Sequence, residues 1–253
     1  MQEEDLLVAK RIQEAAERAY QTNSYGFTGF LGLAEQSVFH ELEKQLSYVG
    51  YSLWGGMELA ERQMLRFGSG EQLDYEEPFP IVCIRVEPYI QKFADALSHR
   101  DFLGSLMNLG IERDTMGDIV VEENIGYVFC TQTMAPYITE HLDKVKHTHV
   151  KCTITEEPPT QIQKELLEKT IQVASERIDG ILAKVYGLSR GESLELFRQK
   201  LVYVNGRLCE NNSYSVKPQD VLVTRGYGKC IYQGGGGLSK KGKLNATVLV
   251  YGK

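Results

Sequence analysis

The stretch SRGESLELFRQKLVYVNG, residues 189–206, holds the side chains of this sequence best placed for chemistry. Ser189 followed three positions later by Glu192 reads as a capping box that starts a helix, so Arg190 falls in its first turn. Unbonded backbone N–H groups there attract anions, and an arginine fork beside them suits a phosphate. Ser189 and Ser193 can offer hydroxyls on one helical face, and Asn205-Gly206 forms a tight turn that a ligand can approach closely. The chemistry expected is capture of a phosphate-bearing polyanion, with no bond made or broken.

Other stretches suggest chemistry and are better explained without it. HRDFLGSLMN (99–108) begins like a kinase catalytic loop, yet its asparagine, Asn108, comes two positions late, and no D-F-G or V-A-I-K run occurs. A capped helix with Phe102, Leu106 and Leu109 on its core face is the simpler reading. His147, His149 and Cys152 fall in one predicted strand, where the cysteine faces away from both histidines, so no metal site is expected. QGGGG (233–237) lacks the Lys-Ser/Thr and helix of a P-loop, and reads as a flexible loop at the end of a basic hairpin. Tyr127 and Phe129 in NIGYVFC share a strand face, as base-stacking aromatics do on an open sheet, although packing against another domain is favoured. No cofactor is called for.

Charge supports a polyanion partner. Of 28 basic and 34 acidic side chains, 13 and 5 lie in residues 177–253, which gives +8 there and −14 for the remainder. After Asp220 come six basic residues and no acidic one. Such a split suggests that the basic end meets the polyanion while the acidic part limits indiscriminate binding and offers itself to a protein partner. Five cysteines without a C-x-x-C pair argue against a disulfide framework or zinc ribbon. The acidic start and the lack of about 18 consecutive apolar residues predict a cytoplasmic protein without a membrane span.

The elements that must position Arg190 and its neighbours fall into three sections, which together predict an α+β chain. Residues 1–75 read as a mainly helical subdomain, with helices in EEDLLVAKRIQEAAERAY, LAEQSVFHELEKQL and MELAERQMLRFG and a short strand near YVGYSLWGG. Residues 78–156 give the order βαββαβ of a ferredoxin-like or RRM-like domain: IVCIRVE, SHRDFLGSLMNLG, the hairpin DIVVEENIGYVFCTQ, MAPYITEHLDKV and HTHVKCTIT. Residues 161–253 open with a long helix, QIQKELLEKTIQVASERIDGILAKVYG, whose apolar face is Ile178, Ile181, Leu182 and Val185. Gly187 stops it, the Ser189 helix follows with a stripe of Leu194, Phe197 and Leu201, and LVYVNGRL makes a hairpin. A strand at VLVTRGYGKC leads to the basic, glycine-rich tail.

The run ERIDGILAKVYGLSRGESLELFRQKLVYVNGRLCENNSYSVKPQDVLV resembles the S-four RNA-binding domain, matching both helices, the V-N-G turn and the K-P-x-D turn. With LSHRDFLGSLMNLGIERDTMGDI ahead of it and TRGYGK behind, most of the chain resembles the bacterial YlmH family. The resemblance implies a two-helix plus β-hairpin domain that binds RNA through Arg177, Ser189, Arg190, Ser193, Asn205 and Gly206. Leu194 and Glu195 stand where many such domains carry basic residues, and Lys200 stands where they carry glycine. Arg225, Lys229, Lys240, Lys241 and Lys243 could compensate, and Lys200 and Arg207 are the other basic RNA-binding candidates.

Two functions follow as expectations. The first is a non-catalytic, monomeric RNA-binding protein of translation. The resemblance implies ribosomal RNA and/or tRNA on the large ribosomal subunit, rescue or quality control of stalled nascent chains, and a link to cell division. The second is an RNA-modifying enzyme, a pseudouridine synthase or methyltransferase, that uses the same domain to hold its substrate. The sequence favours the first: RID (177–179) lies in the RNA-binding helix, and IVCIRVEPY is not followed by the glycine-rich loop of a methyltransferase.

Overall fold

The computed structural model describes residues 3–156, 166–239 and 242–251. The chain divides into two compact units, Met1–Gln161 and Ile162–Lys253.

The first unit starts with α1 (Glu3–Thr22), which opens on Glu3, Glu4 and Asp5, a sign that suits the positive end of a helix. Its stripe of Val8, Ile12, Ala16 and Ala19 is buried. Then follow β1 (Gly26–Leu31), α2 (Leu33–Leu42), β2 (Tyr51–Trp54), β3 (Gln63–Phe67) and the single turn α3 (Gly70–Leu73). The strands form an antiparallel sheet in the order β1-β3-β2. The two helices close one core with it, built on Ile12, Ala16, Phe39, Leu65 and Phe67. The helix expected over MELAERQMLRFG is thus a correction: Gln63–Phe67 pairs on both sides, with β1 and β2, and this pairing outweighs a short helical pattern.

The central section has the expected order: β4 (Ile81–Pro88), α4 (His99–Asn108), β5 (Met116–Glu122), β6 (Ile125–Thr131), α5 (Ala135–His141), a two-residue β7 (Lys144–Val145) and β8 (Thr148–Thr155). Its antiparallel sheet runs β5-β6-β4-β8-β7, the ferredoxin-like arrangement with a short added edge. Ser98 caps α4 in a box with Asp101. The β5–β6 turn uses Glu123 and Asn124, both at positive φ (46° and 71°), as a tight hairpin requires. Phe102, Leu106, Ile138, Ile84, Val128 and Cys130 fill the core between helices and sheet.

The opposite sheet face is covered by the N-terminal section. Phe129 is 2% exposed, and a side chain at Gly56 (φ +90°) would come within 2.4 Å of its ring. Arg62 crosses the same boundary, donating to the carbonyl oxygens of Arg113 (2.8 Å) and Met116 (2.9 Å) as well as to that of Phe30 on its own side (2.9 Å). Asp118 answers by accepting from the backbone N–H groups of Glu61 (2.7 Å) and Arg62 (3.1 Å). Phe129 therefore packs inside the unit and does not stack bases.

The second unit contains β9 (Leu166–Val173), α6 (Ile178–Tyr186), α7 (Arg190–Arg198), β10 (Val202–Val204), β11 (Arg207–Leu208), β12 (Val221–Thr224), β13 (Gly228–Leu238) and β14 (Leu244–Tyr251). One antiparallel sheet orders them β11-β10-β12-β13-β14-β9. Two expectations change here. The long helix begins only at Ile178, because Leu166–Val173 is a strand paired residue for residue with Leu244–Tyr251, its Ile171 and Val173 turned into the core. The glycine run is not a loop: Gly234–Gly237 lie inside β13, which is bulged against β14 on either side of Gly234 and Gly235.

Candidate nucleic-acid interface

α6 and α7 meet at a short turn that Gly187 makes possible, with φ +69° and the Leu188 N–H returning to the Ala183 carbonyl at 2.9 Å. On α6 the expected face of Ile178, Ile181, Leu182 and Val185 is buried. On α7 the buried set is Ser193, Leu196 and Phe197, so the packing stripe is rotated from the one expected, and Leu194 lies at its margin. The predicted capping box is present. Ser189 Oγ accepts from the Glu192 N–H (3.3 Å), and the Glu192 carboxylate accepts from the Ser189 N–H (2.8 Å); hydrogen bonding to the carboxylate by the Ser189 side chain and then by its backbone N–H holds the Glu192 carboxyl below the ordinary range.

Arg190 occupies the first position of α7 and is exposed. It lines a groove of about 460 Å³ together with Arg177, Asp179, Lys184, Ser193 and Lys243. Arg177 is committed: its guanidinium grips the Asp179 carboxylate by two bonds, 3.1 and 2.7 Å, and this pairing raises its pKa. Asp179 also accepts from the Gly180 N–H at 2.8 Å, which leaves little of its charge to repel an anion. Among the described residues, Lys184, Arg190 and Lys243 have no ion-pair partner. Lys184 is the groove residue that the sequence reading passed over. Its signal is faint: it stands one turn after Gly180, on the exposed side of an otherwise apolar helix.

The remaining candidates fall elsewhere or serve other ends. Ser193 is a correction, because it is 1% exposed and its hydroxyl donates to the Asp179 carbonyl at 2.7 Å, tying α7 to α6. Asn205 shapes its turn (φ +50°), donating to Asp220 (2.8 Å) and accepting from the Val221 N–H (2.8 Å). Asp220 in turn accepts from the Lys217 N–H (2.8 Å) and the Tyr214 hydroxyl (3.2 Å). The V-N-G and K-P-Q-D turns are thereby locked together, with half-buried Gly206 and exposed Arg207 at the tip.

Lys200 takes φ +56°, a backbone state that glycine adopts at less cost, and pairs with Glu210 at 3.2 Å on the surface. Arg225 lies over the Tyr203 ring at 5.2 Å, and Lys229 over Tyr251 at 5.5 Å. None of Asn205, Gly206, Arg207, Arg225 and Lys229 lines the groove. Lys240 and Lys241 lie outside the described residues.

Comparison with known proteins finds two matching domain families and several relatives. Residues 75–158 match the family described as "Putative RNA-binding domain in YlmH", and residues 176–222 match the S4 domain. The ribosome-associated protein quality control protein P2 of Bacillus subtilis (strain 168) is 30% identical over 223 residues, 87% of this chain and 85% of that protein. The small ribosomal subunit protein uS4 of Aeromonas hydrophila is 34% identical over 59 residues, 23% of this chain and 29% of its own length. The solved structure of cell division protein ylmH from Streptococcus pneumoniae has a TM-score of 0.49 at 22% identity, covering 64% of this chain and 96% of that one. With that extent of shared sequence and both domains in register, the chain belongs to the YlmH-like family of S4-domain proteins.

Proposed function

We propose that this protein is a ribosome-associated RNA-binding protein that acts without catalysis. In this reading it holds ribosomal RNA and/or tRNA on the large subunit and serves in rescue or quality control of stalled nascent chains. The observation that carries it is the groove at the α6–α7 corner, where Lys184, Arg190 and Lys243 converge beside a helix start with no carboxylate neutralising them among the described residues. Phosphate contacts of this kind position a protein on RNA, and a second shell of cations on the β10–β11 and β12–β13 turns extends the reach. The S4 match and the ribosome-associated quality-control role for which the Bacillus relative is named support the ribosome as the place of action.

The alternative of an RNA-modifying enzyme draws no support from the carboxylate nearest the groove. Asp179 is 9% exposed and held by Arg177 and the Gly180 N–H. No helix among the described residues is long and apolar enough to cross a membrane. The proposal places the protein in the cytoplasm as a monomer, with its acidic N-terminal unit free for a protein partner. A connection with cell division remains what the family resemblance implies, and no feature of the fold carries it.

Crosslinking the full chain to RNA in cells with ultraviolet light and sequencing the attached fragments tests the assignment. Fragments concentrated in large-subunit ribosomal RNA or tRNA are expected. Fragments spread over messenger RNA in proportion to abundance would overturn it.

A further inference from the structure

The sheet face of the central domain is closed at Phe129, yet large apolar side chains stand exposed at one end of the same sheet. Tyr89 is 69% exposed, Ile90 59% and Phe93 78%, all within the five residues that follow β4. This segment is not slack. The Tyr89 N–H donates to the His149 carbonyl (3.1 Å), Gln91 Nε2 to the Glu123 carbonyl (2.6 Å) and the Asp95 N–H to Thr148 Oγ1 (2.9 Å). Asn124 clasps the end of the segment, donating to the Asp95 carbonyl (2.6 Å) and accepting from the Leu97 N–H (2.7 Å). Both neighbouring hairpins thus hold the loop, and its rings are presented to solvent at a fixed place.

The surroundings are cationic. Lys92 Nζ lies 5.9 Å from the Phe93 ring centre, and the β7–β8 hairpin that anchors the loop carries exposed Lys146, His147, His149 and Lys151. Lys146 also lines a groove of about 430 Å³ with Arg100, Ser105, Asn108, His141 and Lys144. Of the carboxylates nearby, Asp101 is occupied by the Ser98 N–H (2.8 Å) and hydroxyl (2.7 Å), and Asp95 by the His147 N–H (3.1 Å). Glu87, opposite Lys151 in the sheet, is paired with Arg85 at 2.8 Å, Glu122 is buried, and Asp143 in the groove and Glu123 on the hairpin turn are further acids.

Exposed aromatic rings beside lysines suit unpaired bases, whose faces stack on the rings while the phosphates meet the cations. We infer that residues 89–93, with the basic groove beside Lys146, form a second RNA contact that takes an unpaired stretch of RNA, stacking bases on Tyr89 and Phe93. The inference rests on the RNA-binding reading above and assigns it a second surface, at the end of the central sheet instead of on its face.

The test uses the full chain and two labelled probes, a single-stranded oligouridine and a fully paired RNA duplex, with binding followed by fluorescence anisotropy. Tyr89→Ala/Phe93→Ala weakens oligouridine binding about tenfold or more and leaves duplex binding unchanged, while Tyr89→Trp/Phe93→Trp retains both. Unchanged oligouridine affinity in the alanine variant, alongside weakened binding by Arg190→Ala, overturns this inference but keeps the C-terminal site, and directs the aromatic patch to a protein partner. If the wild type binds neither probe, both readings fall.

Discussion

Arg190 carries the proposal at the scale of single residues, because its place in the first turn of α7 combines an exposed charge with a helix start. Replacing it with alanine weakens RNA binding by about 1–3 kcal/mol and leaves the thermal midpoint unchanged, as anisotropy and a melting curve together report. Ser193 should behave in the opposite way. Its hydroxyl is spent on the Asp179 carbonyl, so Ser193→Ala costs about 1–2 kcal/mol of stability in urea unfolding, with RNA affinity of the folded protein retained. Lys200 gives a third case. Its positive φ is relieved by glycine, and its ion pair with Glu210 is more than half exposed, so Lys200→Gly raises stability by about 0.5–1 kcal/mol. A lowered urea midpoint would show that the ion pair matters more than the backbone.

At the scale of elements, the capping box ties the stability of the second unit to pH. Hydrogen bonds from Ser189 depress the Glu192 pKa in the folded state, so their contribution is complete above the ordinary glutamate range and is lost as pH falls through the lower, folded value. Ser189→Ala should flatten the acid limb of a stability-versus-pH curve; an unaltered limb would place its origin elsewhere. The same box was legible in the sequence, as was that of Ser98 and Asp101, because a capping motif is entirely local. The β5–β6 hairpin and the βαββαβ order were legible for a similar reason, each strand being a compact apolar run next to its turn. β3 and β9 were not. Leu166–Val173 alternates charged and apolar residues loosely enough to fit a helix, and only pairing with β14, about 80 positions away, makes it a strand. Within the site, Arg190 stood out by its motif, whereas Lys184 and the commitment of Arg177 to Asp179 depend on how α6 packs on α7.

For the whole molecule, the sum of charges misleads and their placement decides. A chain of net charge −6 concentrates its cations in the S4-containing unit, so binding should be steeply salt-dependent although the protein is acidic. Replacing Lys184, Arg190 and Lys243 together by alanine should reduce the slope of log K against log salt by up to about three phosphate contacts' worth. A preserved slope would assign those contacts to other cations. The most direct test of the central claim is sedimentation of a cell lysate through sucrose at low and high salt, comparing wild type with Arg190→Ala. The account predicts that wild type travels with large ribosomal subunits at low salt and is released by high salt, while the variant stays at the top. Both proteins at the top at low salt, or both bound equally, would contradict it.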